Sequence, residues 1–304
     1  MSKARPQERL AEGAIRVLAL SSVAAILLVL LFVAREALLR GEVSWGRMLW
    51  PQRWPGYEEA TWVWQPVGTP PKYSLIPLLH GSLRITGMAL LLGAPLAFMA
   101  AFHVAFVAPA SQRRWLKLAV ELLAGVPSVL MGLVVGLGAP AVALRLGWTY
   151  PMNALVASVA LALAVAPVMF TMAEDALTAV PRELKEASLA LGARPWQFAL
   201  TVAAPTAAPG LFAALVLGGG RAIGETMIVL MVSGNAPVLS LDPTASARTI
   251  TATIAGELGE VEQGGEHWRV LFSLGLLLLL ISLALDALGQ RLRTRLRRRV
   301  EGGT

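Results

Sequence analysis

The 304-residue sequence contains no cysteine and only three histidines. Without cysteine there are no disulfides, no thiolate metal sites and no thiol chemistry. The histidines, His80, His103 and His267, stand in separate segments. No His-Glu-x-x-His pair and no nucleophile–base constellation is therefore spelled out, and an intramembrane enzyme is disfavoured. A phosphate-cradling loop of the form Gly-x4-Gly-Lys-Ser/Thr is also missing. Charge is scarce as well: Asp, Glu, Lys and Arg make up 15% of residues, against about 25% in a typical soluble domain.

What is present is apolar and collected into runs. Hydrophobic residues make up 56% of the chain and the mean hydropathy is +0.64. Val17–Ala34 is uncharged and about the ~20 residues needed to cross a bilayer. It follows the basic residues Lys3, Arg5, Arg9 and Arg16 and ends at Arg35-Glu36. It is longer than the apolar core of a cleaved signal peptide, so it is expected to remain as a span. Five further spans are expected: Ile85–Val107, Leu118–Leu137, Ala154–Met172, Pro209–Val232 and Val270–Leu288. The fold class is thus an all-α membrane protein with six transmembrane helices. The chain, 1–304, reads as a single membrane domain.

Net charge is +7, and the bases gather at the ends of apolar runs, which favours lipid over nucleic acid. With the N-terminus in the cytoplasm, the cytoplasmic segments hold Lys3 to Arg16, Arg113, Arg114, Lys117, Arg182, Lys185, Arg194 and the arginines of 291–299. These are the majority of the 26 Lys and Arg residues, so the positive-inside rule places both termini in the cytoplasm. The basic tail, 289–304, then reads chiefly as the orientation anchor of the last helix. The long external loop, 35–81, carries Trp45, Trp50, Trp54, Trp62 and Trp64, as an aromatic belt or as contacts for a partner protein.

Between spans four and five lies an elbow, 174–205, on the basic side. Pro181 opens a short amphipathic helix, Arg182–Leu191, in which Leu184, Ser188 and Leu191 share a face. Gly192 is placed to cap it, and Pro195 opens a second short helix through Trp196 and Phe198. Pro205 is expected to separate this pair from span five. Such a pair either rests on lipid or docks a partner. In span five, Arg221 and Glu225 stand four residues apart, so on one helix face, among Gly218, Gly219, Gly220 and Gly224. Charge at mid-bilayer depth marks either a structural ion pair or a pathway site, and the second is the default. Other polar residues are weaker signals. His103, Glu121 and Asp286 read as interfacial. Ser128, Thr171 and Thr226 line a path or bond helix backbone. His267 with Glu262 and Glu266 is poor evidence for metal, and no metal site is expected.

The elbow resembles the signature of importer permeases of the ATP-binding-cassette class. Glu186-Ala187-Ser188, Gly192, Val202 and Ala204-Pro205 fall at its spacing, with Ser188, Val202 and Ala204 as small or apolar departures. The resemblance implies a type I importer permease architecture and a cytoplasmic coupling helix seated in a groove of an ATPase, with Glu186, Ala187, Gly192, Arg194, Trp196 and Pro205 as coupling residues. Further segments resemble phosphate-specific permeases: 73–83, 123–129 and, most distinctively, Gly220-Arg221-Ala222-Ile223-Gly224-Glu225-Thr226-Met227. Ser233-Gly234-Asn235 and Gly265-Glu266-His267 are similar to the PstC type rather than the PstA type. This resemblance runs from about Tyr73 to the C-terminus.

It implies inorganic phosphate import through the bacterial inner membrane, with Arg221, Glu225, Thr226, Gly220 and Gly224 in the substrate path. It also implies a PstA-like second permease, two ATPase subunits and an external phosphate-binding protein. ATP and Mg would be used by the ATPase, with no cofactor on this chain and no nucleic-acid partner. The alternatives are another oxyanion, sulfate or molybdate, or a non-transporting scaffold or sensor. Arginine's planar fork suits a tetrahedral oxyanion, and the Glu225 carboxylate, four residues on, would favour an anion that still bears a proton.

Overall fold

Helix α1, Pro6–Leu38, has 33 residues, about 50 Å of helix at ~1.5 Å per residue. None of its apolar window is buried in the chain, which only a lipid solvent permits over that length. It is held at its far end: Phe32 meets Phe272 edge-on at 5.5 Å, and the Trp268 indole donates to Glu36 at 3.1 Å. These details come from a computed structural model, which describes residues 6–38, 45–53, 56 and 58–301, with only the backbone of 6–11 and 296–301. Lys3, Arg5, Arg40 and Trp54 lie outside the described residues.

A short helix α2, Trp45–Leu49, and a two-stranded hairpin follow. Strand β1, Trp64–Gln65, pairs antiparallel with β2, Lys72–Tyr73. The segment docks on the helices through the buried side chains Met48, Trp64 and Leu75. Helix α3, Ile76–Phe106, then crosses as the second span, starting nine residues earlier than expected from hydropathy.

The expected third span, Leu118–Leu137, is corrected by the structure. The chain breaks at Gly125-Val126-Pro127, giving an amphipathic helix α4, Ala110–Ala124, and a spanning helix α5, Ser128–Leu146. Pro127 has no N–H to continue the ladder and disfavours helix at the residue before it. Trp115, Leu118, Leu122 and Leu123 share one face of α4, and the other face carries Arg113, Arg114, Lys117 and Glu121.

Helix α6, Ala154–Thr178, is capped by the Asn153 side chain, which accepts from Val156 N at 3.0 Å. It is the most buried span, and Gly93 of α3 lets the two helices approach closely, since a Cβ there would lie 3.1 Å from Ala162 O. The helix runs past Glu174, so the elbow begins after Thr178 rather than at 174. The buried Glu174 carboxylate pins α4 to α6, receiving Arg113 at 2.6 Å and Lys117 at 2.7 Å.

Helices α7, Arg182–Ala190, and α8, Pro195–Phe198, form the elbow. Pro205 does not separate them from span five. A π turn, Ala199–Ala203, joins α8 directly to α9, Ala204–Gly224. The wider turn sits just where Pro205 removes a backbone donor, so the helix continues with little loss. Helix α10, Met227–Val232, an extended loop, α11, Ile250–Glu257, and the long α12, Glu266–Glu301, complete the chain. Among the described residues, six helices are long and apolar enough to cross a membrane. Helices α3, α6 and α9 form the centre. One face of the bundle carries the elbow; the other carries the hairpin and the 233–249 loop.

Candidate functional site

The fifth span is two helices. Helix α9 stops at Gly224, Glu225 is extended (φ −71°, ψ 130°), and α10 starts at Met227. Glu225 therefore does not share a helix face with Arg221, and no ion pair joins them. Its carboxylate instead accepts from the N–H of Thr226 at 3.2 Å, while its backbone carbonyl accepts from the Thr251 hydroxyl at 3.0 Å. The Thr226 hydroxyl donates to Gly224 O at 3.3 Å. Irregular backbone at membrane depth survives only where protein or water satisfies it, and here side chains of α11 and of the break itself do so.

Two cavities flank this break. Toward the loop face, about 650 Å³ is lined by Gly224, Thr226, Thr251, Ile254, Trp268 and Leu278. Toward the elbow, about 630 Å³ is lined by Gly220 and Arg221 from α9 and by Ser282, Asp286, Gln290 and Arg293 from α12. Arg221 is exposed there and makes no ion pair or hydrogen bond among the described residues. A guanidinium on a spanning helix is costly against lipid and calls for a watery path or another subunit. Asp286, expected only to close the last span, is in this cavity. It lies mid-helix in α12 and accepts from Gln290 Nε2 at 2.9 Å. Its nearness to Arg221 carries no sequence signal, because 64 residues, with α10, the 233–249 loop and α11 among them, intervene.

The loop face holds a second, opposite arrangement. Glu257 Oε1 receives Arg248 at 2.8 Å and the Trp64 indole at 3.1 Å. Its Oε2 lies 3.1 Å from His267 Nε2. The His267 ring stacks on Tyr73 at 5.5 Å, 12° from parallel, and Arg248 Nε donates to Asn235 at 3.1 Å. Burial alone would raise the Glu257 carboxyl, but hydrogen bonds from His267 and Trp64 and the Arg248 charge hold it below the usual glutamate range. Burial, with the nearby Glu266 and Glu257 charges, pushes the Tyr73 phenol up to about 12. His267 thus engages Glu257, not the Glu262 and Glu266 of the sequence reading. Among the described residues, no cluster of three or more His, Asp or Glu is arranged to hold a metal ion. This network fastens the tryptophan-bearing hairpin to α11 and α12. Beside it, Arg84 of α3 donates to the carbonyls of Ser240, Ala245 and Ser246, holding the 233–249 loop.

At the other face, α7 ends in a left-handed turn at Gly192 (φ +85°), with Gly192 N bonded to Leu189 O and Ala193 N to Ser188 O. Only glycine adopts this conformation without strain. Gln197 caps α8 by accepting from Arg194 N at 2.7 Å. The elbow leaves Leu184 and Trp196 exposed and Leu191 90% exposed. Glu186, Ala187 and Pro205 lie in or beside it, with Glu186 and Ala187 on its open surface.

The family described as "Binding-protein-dependent transport system inner membrane component" matches residues 93–300. The chain belongs to this family. It is a multi-pass inner-membrane permease subunit, a transport component rather than an enzyme. It is 35% identical to the probable ABC transporter permease protein YqgH of Bacillus subtilis, over 72% of this chain and 71% of that protein. It is 30% identical to the phosphate transport system permease protein PstC of Mesorhizobium japonicum, over 77% of this chain and 76% of that one. The fold matches a membrane subunit of a bacterial alginate ABC transporter, crystallised with its pentasaccharide-bound periplasmic protein, at a TM-score of 0.64 and 14% identity, over 96% of this chain and 98% of the other. The architecture is that of a type I importer permease.

Proposed function

We propose that this permease conducts inorganic phosphate as one half of a heterodimeric, ATP-driven importer. The observation that carries the reading is Arg221, an exposed guanidinium on a spanning helix, unpaired, one turn before a helix break. Its fork suits a tetrahedral oxyanion, and relatives bearing the phosphate permease name support that anion over others. Gly220 and Gly224 leave room beside it, and Glu225 and Thr226 offer polar groups at the break.

A PstA-like permease would cover the open side of the α9–α12 groove. An external phosphate-binding protein would dock on the loop face, and two ATPases on the elbow face, and both termini would then be cytoplasmic. The exposed apolar side chains of α7 and α8 suit an ATPase groove, and the fixed bend at Gly192 suits rigid-body transmission of its motion to α6 and α9.

The test is anion-stimulated ATP hydrolysis by the reconstituted importer with its binding protein, comparing phosphate, sulfate and molybdate. Stimulation by phosphate alone supports the reading. Stimulation by sulfate or molybdate instead replaces the substrate and leaves the importer class standing.

A further inference from the structure

The cavity beside Arg221 does not end at Arg293. A second cavity of about 620 Å³, reaching toward the elbow and lined also by Asp175 and Thr206, shares Met172, Ala213 and Arg293 with it. Together they form one groove along α9 and α12. Its depth scale is set where the helices touch, since a Cβ on Gly289 would lie 2.5 Å from Val216 Cγ1. The helices are antiparallel. Arg221 lies five residues past Val216 and Asp286 three before Gly289, so the two differ in depth by only about 3 Å at ~1.5 Å per residue. Arg293, four residues past Gly289, lies roughly 13 Å nearer the elbow than Arg221 on the same scale.

Resting on the phosphate reading above, we propose that this groove is a two-station oxyanion path, with Arg221 and Arg293 as successive guanidinium stations and Asp286 as the selecting carboxylate beside the first. The groove is open along its length, and its polar groups face one side of α6, α9 and α12. That many charges on a lipid-facing side would be costly. One guanidinium alone at mid-span would trap a phosphate; a second, one station on, gives it a place to go. Asp286, steadied by Gln290, accepts a hydrogen bond from an anion that still carries a proton and repels one that is fully ionised. This assigns to Asp286 the discriminating role that spacing alone assigned to Glu225.

The same chemistry would also suit the phosphate of an anionic lipid headgroup, and the experiment separates the two sources. Uptake of radiolabelled phosphate and sulfate is measured for the assembled importer in vesicles of phosphatidylcholine alone and in vesicles with added phosphatidylglycerol. Arg293→Gln is expected to lower phosphate uptake about tenfold or more in both, with Arg293→Lys restoring most of it. Asp286→Asn is expected to shift the sulfate-to-phosphate ratio upward by about tenfold, a differential of about 1.4 kcal/mol. A merely structural role would lower both anions equally and leave the ratio unchanged. Unchanged uptake and ratio, equal losses, or activity that requires phosphatidylglycerol would overturn the proposal. Should the wild-type importer carry sulfate or molybdate instead of phosphate, the phosphate reading falls, and the groove is judged by the effect of the same variants on that anion.

Discussion

The charges on the loop face and the charges beside the helix break obey opposite rules. At the loop face, Glu257 is surrounded by Arg248, His267 and Trp64, and at the elbow end of α6 Glu174 is paired with Arg113 and Lys117. Beside the break, Arg221 has no partner and Asp286 only an amide. Buried charge that is fully paired fastens elements together; removing one partner leaves a costly orphan. Exposed, unpaired charge on a spanning helix fastens nothing, and its retention is explained by what passes or docks there. The two kinds of site should therefore fail differently, one in stability and the other in transport.

The largest expected effect on stability comes from stripping Glu174 of both partners. The double substitution Arg113→Ala, Lys117→Ala leaves a buried, uncompensated carboxylate and should cost about 3–5 kcal/mol, read as a large drop in melting temperature in detergent. Arg113 and Lys117 are themselves more than a third exposed, so Glu174→Ala should cost less than the double variant; the reverse order would break the orphan argument. Next is Arg221→Ala, which should reduce phosphate uptake about 100-fold, about 2.7 kcal/mol of lost stabilisation in the path, with an unchanged melting temperature. A stability loss without a transport-specific defect would move Arg221 into the paired class.

Smaller is Glu257→Gln, which keeps the shape but not the charge facing Arg248 and His267. It should cost about 1–2 kcal/mol while leaving anion selectivity as it is. The smallest effect is the pH dependence of that same group. Because the folded state holds the Glu257 carboxyl below its ordinary value of about 4.3, its contribution is complete above that pH. It is lost as pH falls through the lower, folded value. Melting curves of wild type and Glu257→Gln should converge in that acidic window and separate above it.

Much of the architecture is written in local hydropathy. Five of the six expected apolar runs lie within or across spanning helices because an apolar run of that length has one satisfactory solution in lipid. The elbow was equally legible, since Gly192 and Pro195 punctuate it within a dozen residues. The third span was misplaced because Leu118, Leu122 and Leu123 are apolar whether they face lipid from a spanning helix or from the amphipathic α4; only the Gly125–Pro127 break decides. The Arg221–Glu225 pairing failed for the converse reason. The break after Gly224 depends on Thr251, 26 residues away, accepting the role of partner to the Glu225 carbonyl. The Glu257 network was invisible because Trp64 and Glu257 are 193 residues apart, and Asp286 because its neighbours lie on a different span.

The absence of native cysteine makes the central claim directly measurable. Ser282→Cys places a single thiol in the groove beside Arg221, and Leu27→Cys places one on the exposed apolar face of α1. Each assembled importer is treated with a membrane-impermeant, positively charged methanethiosulfonate, which reacts only where water reaches the thiol. The account predicts that the Ser282→Cys thiol is modified, that phosphate slows the modification, and that the Leu27→Cys thiol stays unreacted. A Ser282→Cys thiol as inert as that on α1 would contradict it, because the groove would then be closed to water and Arg221 would not stand on a path.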